Sequence, residues 1–175
     1  PAVPKAPKSA NVRLPHPASQ AHVYIGLPAI ERGNPDFFPL IVGNYTLGGG
    51  GFVSRLTEQV REKRGLTYGI GTSLSVSDHS EELMGQFQAS NDKVAEAIEV
   101  IRAEWARIAT EGVTEEELQN AKTYMTGSYP LRFDGNGTIA SILVGMQIMG
   151  LTTDYPKTRN ARVEAVTMED VKRVA

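Results

Sequence analysis

The chain has 175 residues, a formal net charge of −2, 22% charged and 41% hydrophobic residues, and no cysteine. That length suits one domain with one core, and the absence of cysteine excludes a disulfide framework, a thiolate metal site, an iron–sulfur cluster and a cysteine nucleophile. The charge balance leaves no basic footprint for nucleic acid or an anionic membrane, and no apolar run approaches the roughly 18 residues of a membrane span.

Residues 1–20 read as a linker or tether. They hold Pro1, Pro4, Pro7, Pro15 and Pro17, which remove amide donors and hold the chain extended. The start at Pro1, without Met or a signal-peptide pattern, reads as a piece cut from something longer. Residues 21–175 read as one domain.

In the segment from Ala21 to Pro28, Val23, Ile25 and Leu27 alternate with His22, Tyr24 and Gly26, which predicts a strand with one apolar face. Asn34-Pro35-Asp36 opens a helix through Phe37, Phe38, Leu40, Ile41 and Tyr45, with Gly48 to Gly51 as its stop. A second helix is expected over 52–63, with Phe52, Val53, Leu56 and Val60 on its apolar side and Gly65 as its C-terminal turn. Residues 66–76 and 82–89 form a hairpin around Ser77-Asp78-His79-Ser80; in the second strand Leu83, Gly85, Phe87 and Ala89 alternate with polar positions.

Helices fill the rest. Asn91 is the expected cap of a helix with Val94, Ile98, Ile101, Trp105 and Ile108 along one stripe. Gly112 ends it, and Thr114 to Glu117 is a capping box for a helix carrying Leu118, Ala121 and Met125. Residues 136–149 are apolar nearly all round, so burial is expected. Residues 154–166 form another helix, and Thr167 to Asp170 caps a last one, carrying Val171 and Val174. Because strands and helices are segregated, the fold class is α+β: a small, mostly antiparallel sheet with helices on one face.

The chemistry-bearing residues are few. His16 lies in the tether and His22 on a strand face. His79-Ser80-Glu81-Glu82-Leu83 matches the inverted zinc motif H-x-x-E-H except at its fifth place. It also falls at a strand turn, where such ligands would not share a face, so no metal is expected on this chain. Gly48 to Gly51 is followed by Phe52-Val53-Ser54 and not by Lys-Ser/Thr, so a nucleotide loop is not supported. Ser54 and Ser73 have no evident base. What remains is Arg61-Glu62-Lys63-Arg64-Gly65-Leu66-Thr67-Tyr68-Gly69. Arg61 on the last helical turn and Tyr68 on the next strand could converge after the glycine. Guanidinium and phenol donors would suit a peptide backbone or an oxyanion. The plainer reading is a charged helix end, where Arg is favoured by the dipole alone.

The segment Leu47-Gly48-Gly49-Gly50-Gly51-Phe52-Val53-Ser54-Arg55-Leu56, running into Val60-Arg61-Glu62-Lys63-Arg64-Gly65-Leu66-Thr67-Tyr68-Gly69, resembles the insulinase-like zinc metallopeptidase family. That family includes pitrilysin and the mitochondrial processing peptidases. Gly112-Val113-Thr114 into Glu115-Glu116-Glu117-Leu118, Ala121-Lys122 and Val166 to Val171 fit as well. The likeness covers the chain from about Ala21 on. It implies homologous α+β domains closing as a clam-shell around a peptide or unfolded protein. One domain carries H-x-x-E-H and zinc; the other, commonly called inactive, offers an Arg and a Tyr seven residues apart, matched here by Arg61 and Tyr68. By resemblance Tyr68 serves the scissile carbonyl or oxyanion and Arg61 a neighbouring carbonyl. No cofactor is then expected on this chain, and zinc is expected on a homologous domain or partner subunit. The end at Ala175, inside a helix, is expected to omit a final strand of the domain. The other open readings are a non-catalytic scaffold and a plain peptide-binding homologue. The compartment stays open between bacterial periplasm and cytoplasm.

Overall fold

The computed structural model describes residues 8–77 and 80–175. The chain runs β1 (Gln20–Pro28), α1 (Phe37–Asn44), a widened turn Tyr45–Gly49, a short 3₁₀ turn Gly51–Val53 and a helix ending Thr57–Glu62. Then come β2 (Ile70–Val76), β3 (Glu81–Ser90), α2 (Val94–Glu111), α3 (Glu115–Gly127), a 3₁₀ turn Pro130–Arg132, α4 (Asn136–Ile148), α5 (Tyr155–Glu164) and α6 (Met168–Val174). Residues 8–19 are exposed and carry no regular structure. Helix and strand are segregated as the α+β pattern requires.

The sheet has the order β1-β3-β2, antiparallel throughout. Its register joins Val23 to Phe87, Ile25 to Gly85 and Ile70 to Phe87. Because strand side chains alternate, Leu83, Phe87 and Ala89 fall together on the covered face. His22, Tyr24, Gln86 and Gln88 fall on the open face. Leu27, expected inside, is 42% exposed near the end of β1. Helices α1, α2, α3, α5 and α6 close over the covered face through Phe37, Val42, Ile101, Ile108, Leu118 and Val171. Both capping boxes are formed: Thr114 Oγ1 accepts from Glu117 N at 3.2 Å, and Thr167 Oγ1 from Asp170 N at 3.1 Å.

Three expectations change. First, the glycines do not stop α1. Gly48 and Gly49 continue its winding in a wider turn, where Gly50 N donates to Tyr45 O at 2.8 Å. A Cβ on Gly48 would stand 2.6 Å from Thr72 Oγ1, and one on Gly50 would stand 2.7 Å from Tyr45 O. The glycines therefore serve close approach to β2 and to the preceding turn. Second, Asn91 caps nothing; its amide donates to Ala18 O at 2.7 Å and ties the chain before β1 to the start of α2. Third, α4 is not buried. Met146 is its one buried residue, while Val144 and Ile148 are 54% and 72% exposed. Apolar composition states how much cover a helix could use, and the other elements described here supply little of it.

Candidate functional site

The site is built on the helix from Arg55 to Glu62 and the turn that leaves it. Ser54 starts that helix. Its backbone is extended, and its buried Oγ lies 3.1 Å from Thr57 Oγ1. This break turns Phe52 and Val53, expected on the buried side, out to 74% and 75% exposure, while Leu56 and Val60 stay buried.

Arg55 fixes the rear of the helix. Its Nε and Nη2 each donate to the Glu117 carboxylate at 2.6 Å, and Nη2 also donates to Gly112 O at 3.1 Å. The fork geometry of guanidinium on carboxylate makes this a strong pair. The same Glu117 accepts from Thr114 N at 2.8 Å, so one carboxylate holds both the helix and the cap of α3. Burial alone would raise the Glu117 pKa, but the hydrogen bonds from Arg55 and Thr114 outweigh it and hold the carboxyl below the usual glutamate value.

The helix then widens. Lys63 N donates to Glu58 O at 2.9 Å, an i to i−5 bond. Such turns often occur at functional sites. Gly65, at φ 58°, reverses the chain, and Leu66 N donates back to Val60 O at 2.9 Å. Leu66 and Thr67 are buried at 4% and 7% exposure. Thr67 Oγ1 donates to Gln88 O at 2.6 Å and accepts from Gly69 N at 3.1 Å, which pins the turn to β3. Tyr68, between pinned neighbours, stands 84% exposed. Arg61 is one-third exposed on its side chain and lies 3.5 Å from Glu62 Oε1. Its guanidinium sits 4.7 Å from the centre of the Phe52 ring. No hydrogen bond joins Arg61 to Tyr68. From Gly69 onward a groove of about 320 Å³ runs over the open sheet face past His22, Tyr24 and Gln86.

The sequence marks Ser54 only as a nucleophile candidate, Phe52 only as a core position and Thr67 only as part of a motif, and it does not reveal the Arg55–Glu117 pair. Glu117 was read only through its capping box, and nothing local marks a partner 62 residues away. Among the described residues no group of three or more His, Asp or Glu could hold a metal ion. His79 of the near-miss motif lies outside the described residues. Glu81 and Glu82 are consecutive in β3 and so alternate across the sheet, which does not make a shared ligand face.

The model of the "Peptidase M16 inactive domain" family matches residues 1–125. An uncharacterized zinc protease of Streptomyces coelicolor is 30% identical over 158 residues, covering 89% of this chain and 34% of that protein. A "non-peptidase homolog" of Helicobacter pylori is 28% identical, covering 87% of this chain and 35% of that protein. Among solved structures, a peptidase M16 inactive domain from Pseudomonas fluorescens superposes with a TM-score of 0.81 at 30% identity, over 90% of this chain and 38% of that one. The chain spans about a third of the length of these curated relatives. On the matched model and the shared fold, it belongs to the peptidase M16 inactive-domain family.

Proposed function

We propose that this domain is the substrate-holding, non-metal half of a zinc-dependent endopeptidase. A peptide lies in the chamber between it and a homologous domain or subunit that carries H-x-x-E-H and zinc. The described residues of this chain make no zinc site, so no step on the metal is assigned to them. Their part is binding and charge stabilisation. The Tyr68 phenol donates to the scissile carbonyl oxygen as negative charge develops there. The Arg61 guanidinium donates to a neighbouring backbone carbonyl of the peptide. Donors held in place before the reaction act most strongly in such a role.

The observation that carries this reading is the combination of anchorage and exposure at Tyr68. An aromatic residue 84% exposed, directly after two residues under 10% exposed, spends no burial on the core. Thr67 fixes its backbone at both ends of the turn, so the phenol is presented from a rigid base.

A scaffold without peptidase activity is the second reading. The relative named a non-peptidase homolog favours it, since the same fold serves both roles. The deciding experiment is peptide hydrolysis by the full chain with its co-purifying partner, wild type against Tyr68→Phe, with zinc content measured in both. A fall in turnover of roughly 10²–10³-fold at unchanged zinc supports the oxyanion role. Unchanged turnover removes Tyr68 from the chemistry. No hydrolysis and no zinc in the wild type establishes the scaffold.

A further inference from the structure

A second concavity lies away from Tyr68, between α1, α3, α4 and α5. Its volume is about 620 Å³. Four tyrosines converge on it, Tyr45, Tyr124, Tyr129 and Tyr155, together with Arg132 and Arg159. Its floor is apolar, formed by Ile142, Met146 and Leu151 among others, and no Asp or Glu lines it. Tyr45 and Tyr124 stack at 5.3 Å between ring centres. The Arg159 guanidinium lies 4.5 Å from the centre of the Tyr129 ring.

This cationic side is not neutralised from within. Arg132 and Arg159 take part in no ion pair among the described residues. Arg159 Nη1 donates to Met125 O at 2.7 Å and to Asn160 Oδ1 at 2.9 Å, so it is anchored by neutral acceptors. Burial pushes the Arg159 pKa down, because no carboxylate offsets the loss of water around the charge. None of the four phenol hydroxyls finds a partner among the described residues. Asn44, at the inner wall, keeps a buried Oδ1 without a donor. Half-buried charge without a counter-ion, beside stacked rings and unused phenols, is unusual in a surface that serves packing alone.

We propose that this cleft binds a carboxylate carried on an apolar or aromatic body. The carboxylate pairs with the guanidinium groups of Arg132 and Arg159, and the body lies against the tyrosine rings and the Met146 floor. Planar guanidinium suits a planar carboxylate in a two-pronged contact. The absence of lysines from the lining argues against a phosphate seat. The chemistry is shared by two sources, the C-terminal residue of a peptide and a free aromatic acid. Neither is assigned by the proposed peptidase role, which uses other residues.

Titration calorimetry on the full chain tests this, with N-acetylphenylalanine, its amide, inorganic phosphate and a heptapeptide ending in a free Phe carboxylate. The free acids should bind, and the amide should bind at least ten times more weakly. A heptapeptide tighter than N-acetylphenylalanine identifies a peptide end as the source; equal affinities identify the small acid. Arg132→Gln, on an exposed 3₁₀ turn, should weaken the acids tenfold with an unchanged melting temperature. Arg159→Lys should weaken them as well, and the Arg132 variant keeps the test decisive if that protein folds poorly. Amide and acid binding equally, phosphate matching the acids, no binding at millimolar concentration, or indifference to Arg132→Gln each overturns the proposal. Tyr68→Phe should leave this binding intact, so failure of the peptidase reading and failure of this one are separable.

Discussion

Arg55 and Arg61 sit near opposite ends of one short helix, and the molecule uses them in contrary ways. Arg55 is 7% exposed and spends its fork on Glu117 and Gly112 O. Arg61 is one-third exposed, touches Glu62 only at 3.5 Å, and rests over the exposed Phe52 ring. The first charge is paired inside the protein through Nε and Nη2, with only its buried Nη1 left without a partner, and the second is left without a close hydrogen-bonded partner among the described residues. A helix anchored at its rear by a long-range pair can offer its forward end without losing its place. Substitutions at the two ends should therefore separate stability from activity.

The largest effect is expected at the rear. Arg55→Ala leaves the half-buried Glu117 carboxylate and Gly112 O without their donor. Breaking a buried pair on one side costs about 3–5 kcal/mol, and the partial exposure of Glu117 places this pair near the lower figure. Urea denaturation should show that loss. Arg61→Ala should cost less than about 0.5 kcal/mol, the usual range for a surface change. Equal losses at both positions would break the comparison.

Gly48→Ala comes next. The new methyl would meet Thr72 Oγ1 at 2.6 Å and Leu56 Cδ1 at 3.0 Å, and neither belongs to a freely moving side chain. Overpacking of this kind costs about 1–3 kcal/mol. Gly65→Ala tests the other glycine device, because there the φ of 58° and not contact is limiting. Its cost should be nearer 1 kcal/mol, as for single residues held in the left-handed region. Thermal melts of the two variants rank contact against conformation.

These positions also show where sequence is readable. The stripe of α2, the alternation in β3 and both capping boxes depend on near neighbours, and all of them are visible in the residue order. The glycine run was legible as a special place but not as the right one, because its reason is Thr72 on a strand yet to come. Asn91 has the residue type of a cap, and only the path of the chain before β1 shows that its amide goes to Ala18. Helix α4 has the composition of a core helix without a core around it. At the site, the interval from Arg61 to Tyr68 can be counted on the sequence. The exposure of Phe52 cannot, because it follows from the extended backbone at Ser54. The tyrosine cleft draws its members from several elements and leaves no local signal at all.

A smaller effect concerns pH. The Glu117 carboxyl has a folded pKa below its unfolded value. Its contribution is therefore fully present above the unfolded glutamate value of about 4.3 and is lost as pH falls through the folded value. Stability measured from pH 7 down to pH 3 should fall more steeply in the wild type than in Glu117→Gln. Parallel curves would mean that the Arg55 pair does not control the acid limb.

The smallest stability effect, and the sharpest contrast with Arg55, belongs to Phe52. Its ring is 74% exposed and meets Arg61 at 4.7 Å. An exposed cation–π contact is worth about 0.5–1 kcal/mol. Phe52→Ala should thus shift the melting curve only slightly. Its consequence should appear in function, because the ring is in contact with the Arg61 guanidinium. With the ring gone, the guanidinium is free to sample more positions before a peptide arrives. The proposed peptidase role then predicts a raised KM with kcat little changed, the pattern of lost binding that is equal in ground and transition states. Phe52→Leu, which keeps apolar bulk without the ring face, should resemble Ala. Recovery by Phe52→Trp would place the effect on the π-face and not on the hydrophobic surface.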